Sequence, residues 1–208
     1  MDFQPLKYRF VKAAQNPERA VTLLLLHGTG GDENDLLPLG QQFGPAVNLL
    51  SVRGQVLENG MPRFFRRLGM GVFDEQDVRF RAHELVHFLK NLAGQLGFDP
   101  AKLVALGYSN GANIAGAVLM LHPELLAGAI LLRPMQPLPE PNFMAKGPVP
   151  VLMVSGSLDG TVNPAATRAY QELLTANHFA VDHQSLPTGH QLTQKDLALA
   201  LDWFKAHF

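Results

Sequence analysis

Short apolar runs rich in Val, Leu and Ile alternate along this chain with stretches of helical period. The runs cover residues 21–26, 48–52, 103–106, 127–132 and 149–154, and each meets a Gly or Pro within two residues, as strands buried on both faces do. Between them, helical period predicts helices over 33–43, 76–96, 110–121 and 164–177, with a last helix over 193–208. Alternating strand and helix predict an α/β fold, a mostly parallel sheet covered by helices on both faces and joined by right-handed crossovers. Two flanking strands bring the sheet to about seven: 6–13 as an antiparallel first strand, and 180–186, whose partial alternation suits an edge.

At 208 residues the chain fits one compact core, burying roughly 70% of its unfolded surface. It shows no repeat, linker or charge block, so a single domain over 1–208 is expected, with too few spare residues for a large lid. Two stretches look irregular: 54–74, and 133–148 with prolines 134, 137, 139, 141 and 148. Both follow the C-terminal end of a predicted strand, where ligand sites of open α/β sheets lie, and are therefore candidate pocket walls.

Gly107-Tyr108-Ser109-Asn110-Gly111 joins the strand 103–106 to a small-residue helix. This is G-x-S-x-G between strand and helix. So sharp a turn strains its central residue and brings chain close on both sides, which explains glycine two residues before and two after. Ser109 is thereby exposed, and the following helix aims its unpaired N–H groups at the place where an oxyanion would form. A Gly-rich turn without chemistry is the alternative; the flanking strand and helix favour a nucleophile.

A serine hydroxyl needs a base to take its proton, and histidine suits that task. The order serine, acid, histidine found with such turns leaves five downstream histidines. His190, between the last strand and last helix, sits at the sheet's loop edge, whereas His122 and His178 end helices, His183 lies within a strand and His207 is penultimate. The acid that orients the imidazole belongs beyond another strand end, which fits Asp159; Asp182, inside the last strand, is its competitor. Acyl transfer also needs two N–H donors for the oxyanion. Asn110 is expected to supply one and Thr29, in His27-Gly28-Thr29-Gly30-Gly31, the other. That loop matches neither a P-loop nor a dinucleotide fingerprint.

His83-Glu84-Leu85-Val86-His87 matches the zinc-protease pattern H-E-x-x-H. The apolar face of that helix, through Val78, Ala82, Leu85, Leu89 and Leu92, leaves His83 and His87 almost opposite it and toward solvent, so no metal site is expected.

Charge narrows the partners: 17 Lys plus Arg balance 18 Asp plus Glu, which favours a small molecule over nucleic acid. The absence of cysteine excludes disulfides and thiolate catalysis. The start, MDFQPLKYRF, has neither a signal-peptide pattern nor the ~20 apolar residues of a membrane span, and reads as cytoplasmic.

LHGTGGDENDLLPLG, SVRGQVLENGMPRFFRR, GYSNGA, GSLDGTVNP and TGHQL together resemble the phospholipase/carboxylesterase family of bacterial α/β-hydrolases, over essentially the whole chain. The likeness is greatest to the compact carboxylesterase, dienelactone-hydrolase-like branch. It implies the α/β-hydrolase fold and a cofactor-free serine hydrolase that cleaves small carboxylic esters through an acyl-enzyme. It also matches Ser109, Asp159 and His190 to a triad, matches Thr29 and Asn110 to the oxyanion donors, and makes a homodimer plausible. Dienelactone hydrolases proper use a cysteine, which this chain lacks. Acyl-protein thioesterases are also similar, so thioesters and lysophospholipids stay open as substrates, and a non-catalytic small-molecule receptor is the alternative outside enzymology. In Met61-Pro62-Arg63-Phe64-Phe65-Arg66-Arg67, Phe64 and Phe65 are candidates to line an acyl or aryl pocket and Arg66 to pair with an acidic substrate group. The other reading is a basic turn anchored by its phenylalanines.

Overall fold

The computed structural model describes residues 3–139 and 143–208; Pro141 of the predicted 133–148 wall lies outside the described residues. The strands are β1 (Tyr8–Val11), β2 (Thr22–Leu26), β3 (Asn48–Val52), β4 (Val56–Glu58), β5 (Met61–Arg63), β6 (Arg67–Gly69), β7 (Val72–Phe73), β8 (Leu103–Tyr108), β9 (Gly128–Leu132), β10 (Val149–Gly156) and β11 (Phe179–Leu186). The helices are α1 (Leu37–Gly40), α2 (Glu75–Leu96), α3 (Asn110–Leu121), α4 (Pro164–Ala176) and α5 (Gln194–His207).

Seven strands form one sheet in the order β1-β3-β2-β8-β9-β10-β11. Only β1 runs antiparallel, against β3. Every residue of β2, β3 and β9 is buried, because the sheet is covered on both sides. Strand alternation sends Leu24, Leu26, Leu50 and Leu131 toward α2, α3 and α4. Leu23, Leu25, Leu49 and Ile130 face α1 and α5. That two-sided burial is why the strands read as unbroken apolar runs.

Two predicted segments differ. The helix expected over 33–43 shrinks to α1 and a 3-10 turn at Gln41–Phe43. The Asp32 carboxylate accepts the Asn34 N–H and closes a turn first, and Pro38, which the first turn of a helix tolerates, marks where helix can begin. The stretch 54–74 is not irregular but two small hairpins, β4–β5 and β6–β7. Asn59 and Gly60 both have positive φ, 52° and 80°, which closes the two-residue turn of the first hairpin.

Among the described residues no helix is long and apolar enough to cross a membrane. Among the described residues no lid covers the sheet's C-terminal edge, where the loops after β2, β3, β8, β9, β10 and β11 gather.

Candidate active site

Ser109 lies one residue beyond β8 with φ 52° and ψ −114°, a conformation that costs an L-residue ~1–3 kcal/mol. Crowding on both sides enforces it. A Cβ at Gly107 would collide with the Gly111 carbonyl, and one at Gly111 with the Leu26 carbonyl of β2. The Ser109 N–H donates to Leu132 O (2.8 Å) and its carbonyl accepts from Asn113 N (3.0 Å), so sheet and helix hold the turn together.

His190 Nε2 stands 2.9 Å from Ser109 Oγ, and His190 Nδ1 stands 2.7 Å from Asp159 Oδ2. With the Nδ1 proton directed at the carboxylate, the Nε2 lone pair faces the serine hydroxyl. Asp159 also accepts from the Thr161 hydroxyl (2.6 Å) and Thr161 N–H (2.9 Å). Burial opposes its charge, but the hydrogen bonds from Thr161 and His190 outweigh burial and hold the carboxyl below its ordinary range. The competitors are engaged elsewhere: His183 with Ser155 Oγ and Gln171, His122 with His83, His207 with the Trp203 carbonyl, and Asp182 with Gln184. His178, at φ 67°, ends the turn after α4.

Thr29 and Asn110, the expected oxyanion donors, line the same cavity as Ser109 and His190. Neither backbone N–H has an acceptor among the described residues. The Thr29 loop is fixed from beneath by His27, whose Nδ1 donates to Gly28 O (2.6 Å) and whose Nε2 accepts from Gly54 N (3.0 Å). Burial pushes the His27 pKa down and so favours the neutral ring these two bonds require.

Arg133, which the sequence did not single out, holds the histidine loop. Its side chain is fully buried and ion-pairs with Asp196 (Nη1–Oδ1 2.6 Å). The same guanidinium donates to Gly189 O (3.0 Å), Thr188 Oγ1 (3.0 Å) and Gln191 O (3.2 Å), clasping the residues on either side of His190. Asp196 in turn accepts from Thr193 N and Oγ1, the capping box that starts α5. Tyr108 completes the support by donating its hydroxyl to the His190 carbonyl (3.1 Å).

The cavity at Ser109 has a volume of about 240 Å³. Its wall departs from expectation. Phe64 and Phe65 are buried at 4% and 0% exposure and do not line it. The Phe64 N–H donates to Asn110 Oδ1 (2.7 Å) and its ring packs on His27, while Phe65 packs edge-on against Phe73. Arg66 does not line it either: its side chain turns to Asp74 (2.9 Å) and its backbone N–H donates to Asp77 Oδ2 (2.7 Å). The lining comes instead from Arg63, Arg67, Met70 and Phe73 of the hairpins, facing Asn113 and Met135. Among the described residues, Met135 is what the predicted 133–148 wall contributes. A second cleft of about 250 Å³, between the N-terminal segment and α2, is lined by Tyr8, His87 and Phe88 and lies away from Ser109.

In the H-E-x-x-H segment, His87 is exposed as expected, whereas His83 is half-buried with its Nδ1 2.8 Å from His122 Nε2. Glu84 is buried against Arg81 (2.8 Å) and not presented to a ligand. Among the described residues no group of three His, Cys, Asp or Glu side chains is arranged to hold a metal ion.

No family model matches the chain. It is 43% identical over 183 residues to the "putative hydrolase MhqD" of Bacillus subtilis, covering 88% of this chain and 92% of that protein. Its structure superposes on the Bacillus cereus carboxylesterase with a TM-score of 0.94 and 41% identity, covering 98% and 95% of the two chains. The carboxylesterase of Mesorhizobium loti gives a TM-score of 0.89 at 30% identity, covering 96% and 94%.

Proposed function

We propose that this chain, which belongs to the phospholipase/carboxylesterase family of α/β-hydrolases, cleaves small carboxylic esters through a covalent acyl-enzyme on Ser109. That it is an enzyme, an ester hydrolase, follows from its hydrolase and carboxylesterase relatives, and the receptor reading is set aside. The observation that carries the mechanism is the continuous line from Ser109 Oγ through His190 to Asp159, with both spacings under 3 Å.

In acylation, His190 Nε2 takes the Ser109 proton as Oγ bonds to the ester carbonyl carbon. The N–H groups of Thr29 and Asn110 hold the oxyanion. The tetrahedral species collapses, the carbon–alkoxy bond breaks, and the imidazolium gives its proton to the departing alcohol. In deacylation, His190 takes a proton from water, the hydroxide oxygen bonds to the acyl carbon, and Ser109 leaves with that proton as the acid is released. Asp159, kept ionised by Thr161, holds the imidazole tautomer and stabilises its charged form. The small, open cavity favours short esters over long-chain lipids.

The test is initial rates on p-nitrophenyl esters and acyl thioesters, with Ser109→Ala alongside and EDTA present. Turnover in EDTA with a loss of ~10⁴ or more in kcat for Ser109→Ala supports the serine mechanism. Rates that survive the substitution refute it.

A further inference from the structure

The hairpins of 54–74 put two guanidinium groups into the wall of the Ser109 cavity, and the hydrolytic step does not use them. Arg63 and Arg67 share one carboxylate, Glu58: Arg63 Nη1 lies 3.0 Å from Oε2 and Arg67 Nε 2.9 Å from Oε1. Two positive charges therefore meet one negative charge. Arg63 is only 3% exposed and is held in place by the Phe65 carbonyl (3.2 Å) and the Thr29 hydroxyl (3.0 Å), so it reaches the cavity beside the proposed oxyanion donor. The Nη2 group of each arginine has no acceptor among the described residues, although both residues line the cavity.

Burial and the nearby Arg67 charge lower the pKa of Arg63, which means that the site as it stands disfavours its second positive charge. An anion entering the cavity would relieve that imbalance and satisfy both free donors. Guanidinium groups match carboxylates in shape and bond them in pairs. The remaining wall, Met70, Phe73 and Met135, is apolar and suits the carbon chain or ring that links such a carboxylate to the ester.

We propose that the substrate is an ester that carries a free carboxylate, bound by Arg63 and Arg67, with Glu58 holding the two arginines in position. This rests on the serine-hydrolase reading and names the substrate class for that site. Arg67 sets preference among esters through its charge and is 27% exposed on a hairpin; Arg63, tied to Thr29, is the less suitable residue to change.

The test compares matched esters with and without a carboxylate: mono-p-nitrophenyl adipate against p-nitrophenyl hexanoate, and 4-acetoxybenzoate against phenyl acetate. The first pair places the charge on the acyl side and the second on the alcohol side. In at least one pair, wild type should favour the charged ester in kcat/KM. Arg67→Gln should lower that ratio about tenfold or more, the worth of a charge-assisted hydrogen bond. Glu58→Gln keeps an acceptor oxygen to position the arginines and removes the competing negative charge, so it should raise the ratio. The ratio is read within each variant, so a general loss of active protein cancels. Wild-type ratios at or below one in both pairs, or an Arg67→Gln ratio equal to wild type, overturn the carboxylate site while leaving the hydrolase standing. Wild type that hydrolyses none of the four esters and does not react with a fluorophosphonate overturns the hydrolase reading and this inference with it.

Discussion

Replacing Arg133 by Met keeps a long side chain in place and removes the guanidinium donors that clasp the histidine loop. Two consequences should separate. For stability, breaking a buried ion pair by removing one partner costs ~3–5 kcal/mol, because the other charge stays buried. Asp196 keeps its two bonds to Thr193, so the loss should fall near the low end, ~3 kcal/mol, and shift a urea midpoint by about 1 M or more. For catalysis, the loop loses its guanidinium ties at Thr188 Oγ1, Gly189 O and Gln191 O, keeping the Tyr108 hydroxyl bond to the His190 carbonyl, the Leu158 N–H bond to Thr188 O and the Asp159 contact with the imidazole. A displacement of about 1 Å in a catalytic group is enough for ~10²-fold in rate. The expected result is kcat down about a hundredfold with KM changed far less, since the cavity wall does not include Arg133.

The double variant Arg133→Met with Asp196→Leu distinguishes the two effects. With both charges gone, most of the stability should return, less ~1 kcal/mol for the lost helix cap. The rate should stay low, because the loop carbonyls are still without their donor. Urea denaturation and steady-state kinetics on the same samples decide. If the double variant regains both stability and kcat, Arg133 is only a charge partner for Asp196 and the positioning argument is wrong. A single variant within about threefold of wild-type kcat would refute it as well.

Two further predictions concern groups whose surroundings are unusual. The Tyr170 hydroxyl is buried against Gly116 without a hydrogen-bond partner among the described residues, so Tyr170→Phe should stabilise the fold by ~1 kcal/mol in urea; a loss of stability would mean the hydroxyl is satisfied. Asp159 is held below its ordinary carboxyl range, so its contribution is whole above the unfolded value of ~3.9 and is lost as pH falls through the lower folded value. The stability advantage of wild type over Asp159→Asn should therefore shrink below about pH 4, and an advantage that grows with acid would contradict the sign.

What the sequence reveals depends on how local the constraint is. The turn at Ser109 is legible because crowding by Leu26 and Gly111 excludes a side chain at fixed offsets, and glycine records it. Asp159 and His190 are legible from chain order, because each follows a strand whose neighbours are set by the parallel topology. Arg133 is not: its partner Asp196 lies 63 residues away, and the prolines around it draw attention to the loop's irregularity instead. The choice of Arg66 over Arg63 and Arg67 fails for a different reason. Side chains alternate along a strand, and treating 54–74 as irregular discards that parity. Asn59-Gly60 carried the missing signal. It sets Glu58 opposite Met61, and two residues on from Met61 is Arg63, on the face that Glu58 shares.

The strained positions at two strand ends lie apart from the hairpins, so the scaffold keeps the proposed chemistry separate from the proposed recognition. Ser109 and Arg133 follow adjacent strands with φ 52° and 56°, outside the range L-residues favour. In each case the residue's own N–H continues the sheet ladder, to Leu132 O from Ser109 and to Val154 O from Arg133, while Ser157 N repeats the step to Leu186 O. Each strand end thus pins the next, from β8 to β11, and the sheet itself sustains the strain that aims Ser109 and anchors the loop of His190. The β4–β7 hairpins belong to none of that ladder. They carry Arg63, Arg67, Met70 and Phe73, so substitutions there can change which ester fits without disturbing the alignment of Ser109, His190 and Asp159.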